Sequence, residues 1–199
     1  MNGQLPDHWV DRLRAGEHDA FNELVRRFHG PVFRLALRLL RNRDDAQEAA
    51  QESFLAAYQA IADYEARASL QTWLLSIAYR KAVDRLRRRR QTPLNLGALD
   101  DAALLRIAGS VQGLTDWDAS PEQRYDQGQV RQRLREALAR LPVESQVVFE
   151  LRDVQGLSSR DAAQVLGIAE GTLRVRLHRV RQYLMGELQS VLGGKDTPR

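Results

Sequence analysis

Apolar residues recur at helical spacing along almost the whole of this chain, and nowhere does a strict apolar–polar alternation persist. That pattern confines the fold to packed helices. Phe21, Leu24, Val25 and Phe28 form one stripe, and Gly30-Pro31 is expected to break it. Phe33, Leu35, Ala36, Leu37, Leu39 and Leu40 then belong to a new helix with Pro31 near its start. Asp44, with Gln47 three residues on, is expected to cap a third helix whose inner face is Ala46, Ala50, Phe54, Tyr58 and Ile61. A fourth runs from about Leu70 through Trp73, Ile77 and Val83 into Arg85-Leu86-Arg87-Arg88-Arg89-Arg90.

The period then stops. Residues 91–127 carry Pro93, Gly97, Gly109, Gly113 and Pro121, and six acidic residues against Arg106 and Arg124. This stretch reads as a flexible acidic linker, with room for a short helix around Ala102–Ile107. Helical order resumes with Val130, Leu134, Leu138 and Leu141, ends at Pro142, and returns with Val147, Val148 and Leu151. The expected architecture is all-α: two small helical domains, 1–90 and 128–190, joined by the 91–127 linker and followed by a disordered tail over 191–199.

Composition removes several classes of function. Without cysteine the chain has no disulfide, no thiolate zinc site and no thiol switch. His8, His18, His29 and His178 show no metal-ligand pairing, so neither metal nor cofactor is expected. No signal-peptide pattern opens the sequence, and arginines interrupt every apolar run before it reaches membrane-spanning length. A cytoplasmic protein without membrane insertion is expected. No nucleophile elbow, phosphate-cradling Gly loop or apolar carboxylate pair is present, which argues against an enzyme.

The sharpest local pattern lies between Leu157 and Arg179. Ser158 with Asp161 starts a helix, Ala162, Ala163 and Leu166 allow a close crossing, and Gly167 supplies the turn. The following helix buries Leu173, Leu177, Val180 and Leu184, leaving Arg174, His178, Arg179 and Arg181 outward. That is a helix-turn-helix with major-groove donors on its second helix. A second constellation is the basic run at Arg80, Lys81, Arg85, Arg87 and Arg88, suited to phosphate, with Tyr64, Arg67, Ser69 and Trp73 upstream. A third is the acidic face of Asp45, Glu48, Gln51 and Glu52, which phosphate would repel and a basic protein partner would not.

In this order the segments resemble the extracytoplasmic-function (ECF) group of the sigma-70 family, over roughly Ala15 to Leu184. The stretch from Asp44 through Phe54 looks like region 2.2, which implies docking on the clamp helices of the largest subunit of core RNA polymerase. Tyr64 to Trp73 and Thr72 to Arg90 resemble regions 2.3 and 2.4. The resemblance implies that Tyr64, Arg67, Ser69, Trp73, Arg80, Lys81, Arg85, Arg87 and Arg88 open and read a minus-10 promoter element. Leu141 to Tyr183 resembles region 4. It implies minus-35 reading by Glu170, Gly171, Thr172, Arg174, Val175, His178 and Arg179, and contact with the polymerase flap. Family members commonly bind an anti-sigma factor, so such a protein joins core polymerase and promoter DNA among the implied partners. The sequence departs from the family at Ala66, usually Gly, at Leu70, usually Phe, at Arg80, often Asn, at Val175, usually Ser, and at Ala169, usually Ser or Pro. Ala49 and Ala50 are smaller than the usual aliphatics. A stand-alone helix-turn-helix regulator that binds its operator without polymerase accounts equally for the C-terminal half, though not for the basic first domain or the acidic linker.

Overall fold

A computed structural model of the chain describes residues 7–90 and 127–192, and every regular element among them is helical. Four helices form the first bundle: α1 (Asp7–Arg14), α2 (His18–Leu40), α3 (Arg43–Ala60) and α4 (Leu70–Arg90). Four more form the second body: α5 (Gln127–Arg140), α6 (Val143–Phe149), α7 (Ser159–Leu166) and α8 (Glu170–Leu192). The linker expected over 91–127 falls, but for Gln127, outside the described residues. So does most of the tail, since α8 continues to Leu192.

One expectation fails. Pro31 does not start a helix; it lies inside α2, which runs unbroken from His18 to Leu40. An interior proline costs about 3 kcal/mol, because it removes the helical donor to the Arg27 carbonyl and crowds the preceding turn. Against this, Leu24, Phe28, Val32, Leu35, Ala36 and Leu39 are all buried on one face that spans the proline. Each large side chain contributes roughly 1.5–3 kcal/mol by leaving water, so packing on both sides outweighs the local defect.

The cap of α3 also differs from expectation. Asn42, not Asp44, is the N-cap, its side-chain oxygen accepting from Asp45 N–H at 3.0 Å. Asp44 and Asp45 sit in the first turn, where the helix dipole favours negative charge. Of the predicted inner face, Ala46, Ala50, Phe54 and Ile61 are buried, whereas Tyr58 is exposed and meets Phe21 edge-on. Ala49 and Ala57 complete a seam of alanines through which α3 approaches α2 and α4 closely.

The loop from Tyr64 to Ser69 is built by its own side chains. Tyr64 is buried; its hydroxyl donates to the Ala68 carbonyl at 2.6 Å, and Arg14 donates to the Tyr64 carbonyl. Ser69 caps α4, accepting from Thr72 N–H at 3.1 Å. Ala66 sits in the left-handed region at φ 55°, where glycine is the residue without penalty.

In the second body Ser158 caps α7 as expected, its hydroxyl accepting from Asp161 N–H at 3.0 Å. Gly167 closes α7 at φ 67°. Leu173, Leu177, Val180 and Leu184 are all buried. Between α6 and α7 the chain takes a wide π-helical turn, Glu150–Val154, in which Gln155 N–H bonds the Glu150 carbonyl at 2.9 Å.

The two bodies pack together. The C-terminal half of α4 lies against α7, and α2 lies against α6. One continuous core therefore joins Leu35, Leu39 and Leu75 to Val147, Leu151, Ala163 and Leu173. A smaller core of Ala137, Leu138, Leu141, Val180 and Leu184 holds α5 on α8.

Two outcomes follow. Ala66→Gly should raise stability by about 1 kcal/mol, the cost of holding a Cβ in the left-handed region, read as a higher Tm; an unchanged or lower Tm would mean that Ala66 carries no such cost. Tyr79, beside the junction, has its hydroxyl pKa pushed up to about 12 by burial first and by Glu144 second, against Arg176 and Arg87. A raised pKa means the folded form holds the proton more tightly. That stability is complete below pH ~10 and lost as pH climbs through about 12. Tyr79→Phe should therefore shift alkaline unfolding, followed by circular dichroism, to higher pH than wild type.

Candidate nucleic-acid interface

Helix α8, the second of the helix-turn-helix, presents the expected face to solvent. Gly171, Thr172, Arg174, Val175 and His178 are exposed, and Glu170 and Arg179 partly so. Val175 is 50% exposed, so an apolar side chain stands in the middle of a polar face. Arg174 is paired with Glu170 one turn earlier at 2.5 Å. This pre-orients the guanidinium across the start of the helix. Arg181, predicted outward, is exposed and bridged to Asp153 of the π-helical turn at 2.5 Å. Arg176, one residue on from Val175, is buried and turned to the opposite side, close to Tyr79 and Glu144.

The basic residues of α4 divide into two stripes. Lys81, Arg85 and Arg88 line a cleft with Asp45, Glu48 and Glu52 of α3. Arg80 and Arg87 line another cleft, facing Leu166, Gly167 and Ile168 at the helix-turn-helix turn. Arg80, Arg87 and Arg88 are exposed and Lys81 partly so. Arg85 stands apart from the rest. It bonds Asp45 at 3.4 Å and Glu52 at 3.1 Å, and also Glu48, so its charge is engaged by three carboxylates of the neighbouring helix. Its partners are the acidic set and not the other cations.

The loop residues occupy the opposite end of α4. Trp73 is partly buried with its ring centroid 5.1 Å from that of Tyr64, and both belong to the wall of the loop. Arg67 is exposed and bridged to Glu65 at 2.5 Å, and Ser69 is exposed as well as capping. From Trp73 to Arg88 the helix rises about 22 Å at 1.5 Å per residue. The candidate minus-10 residues thus lie along one helix but not on one face of it, with an aromatic loop at one end and cations in two stripes at the other.

The acidic face is partly as expected. Glu48, Gln51 and Glu52 are exposed on α3, but Asp45 is buried beneath Arg85. Leu55, on the same side one turn beyond Gln51 and Glu52, is 59% exposed and extends the face with an apolar surface.

Sequence reasoning missed a group at the junction of the two bodies. Glu150 is buried, and its carboxylate accepts from Arg34 at 3.2 Å and from Gln155 at 3.1 Å, with Arg38 at 3.6 Å. Gln155 also donates to the Pro31 carbonyl at 3.1 Å. One signal for it was present: a glutamate interrupting the apolar run Val147-Val148-Phe149-Glu150-Leu151, which needs a buried partner.

Two family models match the chain: Sigma-70 region 2 over residues 24–92, and Sigma-70, region 4 over residues 131–184. The chain is 30% identical over 193 residues to the ECF RNA polymerase sigma-E factor of Haemophilus influenzae, covering 96% of this chain and 100% of that one. It is 34% identical over 170 residues to the ECF RNA polymerase sigma factor SigM of Mycobacterium tuberculosis, covering 85% and 78%. Among solved structures, that of CnrH in complex with the cytosolic domain of CnrY matches with a TM-score of 0.58 at 23% identity, covering 94% of this chain and 97% of CnrH. This last likeness concerns the fold. An exposed recognition helix, a basic and aromatic strip, an acidic face and relatives along nearly the full length agree: the chain belongs to the ECF subfamily of sigma-70 factors, which bind core RNA polymerase and direct promoter-specific transcription initiation.

Proposed function

We propose that residues 1–90 form the polymerase-docking and minus-10 domain and residues 128–190 the minus-35 domain, acting in the cytoplasm by binding rather than by catalysis. The observation that carries this reading is the exposed face of α8. Arg174 and Arg179 supply donors for base edges or phosphate, His178 lies between them, and Val175 supplies an apolar contact. Gly171 and Thr172, at the start of the helix, allow the backbone to approach a phosphate, and Glu170 holds Arg174 in place. Exposure of Arg80, Arg87 and Arg88 supports phosphate contacts along α4, with Lys81 beside them. Tyr64 and Trp73 shape the loop and Arg67 and Ser69 offer polar groups at its rim. An unstacked base is proposed to be held there.

Glu48, Gln51 and Glu52 form the docking face for the clamp helices, and burial of Asp45 under Arg85 supports a positioning role for both. An apolar groove of about 540 Å³, lined by Leu134, Phe149, Leu184, Met185 and Leu188, is the surface offered to the flap. An anti-sigma factor, the kind of partner that NepR is for the sigma factor RpoE of Bartonella quintana, is a further proposed partner.

Run-off transcription from a genomic promoter library, with purified chain and core polymerase, tests the whole reading. Discrete starts absent with core alone are expected, and Glu48→Ala/Gln51→Ala/Glu52→Ala should abolish them while helical circular dichroism is unchanged. Specific duplex binding without polymerase, and inert core, would favour the operator-binding regulator instead. Arg174→Ala should cost about 1–3 kcal/mol at one minus-35 position; an equal loss at every sequence would make it a phosphate contact.

A further inference from the structure

The loop proposed to hold an unstacked base is tied at both ends, and one tie comes from a helix outside the site. Its C-terminal end is held locally, where Ser69 caps α4 and Trp73 N–H bonds the Ser69 carbonyl at 2.9 Å. Tyr64 spans the loop, its ring 5.1 Å from that of Trp73 and its hydroxyl donating to the Ala68 carbonyl at 2.6 Å. Between these points Glu65, Ala66 and Arg67 are exposed, and Ala66 is in the left-handed region. A loop with so little burial, carrying one residue in a costly conformation, keeps its shape only if its ends are held.

The N-terminal end is held by Arg14. Its guanidinium, in the last turn of α1, donates to the Tyr64 carbonyl and meets Asp11 of its own helix at 3.5 Å. Attachment of α1 does not need the bond to Tyr64. Leu13 is buried, and Trp9 and Val10 pack on the same core, so apolar contact already anchors the helix. Arg14 itself is 40% exposed, a long side chain whose freedom is costly to restrain. What that restraint fixes is one backbone carbonyl of the loop. Without Arg14, the loop's entry would rest on the Tyr64 ring and on the Tyr64 N–H bond to the Ile61 carbonyl at 3.2 Å.

We infer that Arg14 is a positioning residue for base capture: it touches no base, and it holds the loop in its receiving shape before DNA arrives. The inference rests on the reading above, in which the loop from Tyr64 to Ser69 takes an unstacked base. Ordering a loop at the moment of binding subtracts from affinity, and a loop ordered in advance avoids that cost. Helix α1 thereby belongs to the strand-opening apparatus, although none of its side chains is among the proposed base or phosphate contacts. The competing role for a partly exposed guanidinium is a phosphate contact. The two roles separate cleanly, because a phosphate contact does not depend on the captured base.

The test uses holoenzyme assembled from the full chain and core polymerase. Its probes are single-stranded oligonucleotides of the non-template strand, spanning the minus-10 element of a promoter found by run-off transcription. Replacing one base at a time by an abasic site locates the captured base as the position of greatest loss for wild type. Arg14→Met, which keeps a long side chain without donors, should bind the intact strand about fivefold more weakly, as loss of one hydrogen bond implies. On the strand abasic at the captured position it should match wild type, because nothing remains there for the loop to hold. Arg14→Lys, which retains a donor, should recover most of the affinity for the intact strand. Core affinity and helical circular dichroism should be the same for all three proteins, and the abasic strand serves as an internal control for misfolding. An equal loss on intact and abasic strands would overturn the inference, as would undiminished affinity of Arg14→Met for the intact strand. If no abasic position weakens wild type, the base-capture reading fails first and the role of Arg14 with it.

Discussion

The first bundle rests on how closely α3 can approach its neighbours. Ala46, Ala49, Ala50 and Ala57 are buried almost completely, and between them they bring the backbone of α3 onto α2 and α4. Larger aliphatics would move the helix outward. With alanine, the carboxylates on its upper side come within reach of Arg85 on α4. The acidic face of α3 and the cations of α4 are therefore two sides of one seam, and the spacing of that seam sets both.

Charge in this molecule is arranged in local pairs more than in fields. The chain has 30 Lys and Arg against 26 Asp and Glu, a net charge of +4, too small to draw DNA from a distance. What matters is which cations are held and which are presented. Arg85, Arg174 and Arg181 each meet a carboxylate held on another turn or element, Arg87 meets Asp84 of its own helix at 3.7 Å, and Arg80 and Arg88 stand out on α4. The exposed pairs of Arg174 and Arg181 contribute little to stability, typically ~0.2–1 kcal/mol, so their effect is on orientation. Arg174 is aimed by Glu170 at little energetic cost.

Much of this was legible in the sequence, for physical reasons that differ by element. The helix-turn-helix was legible because capping, turn and packing each restrict residue type: Ser158, Gly167 and the Leu173–Leu177–Val180–Leu184 set could hardly be arranged otherwise. The acidic and aromatic-basic segments were legible as charge patterns. The unbroken α2 was not, because proline's local penalty is visible in sequence while the packing that overrides it is tertiary. For the same reason Asp45 read as surface and proved buried under an arginine forty residues away. Glu150 and Arg34 are 116 residues apart, and no local window relates them.

That separation also has a meaning in time. A chain is synthesised from its N-terminus at about 5–20 residues per second, so the 116 residues between Arg34 and Glu150 take roughly 6 to 23 seconds to appear. The core of the first bundle uses side chains no later in the sequence than Leu86 and can assemble in that interval. Its junction-facing side, with Leu39 and Tyr79, then awaits a partner still being made. Each newly made copy thus begins life open, with its apolar junction uncovered, and folding of the second body is also the first closure.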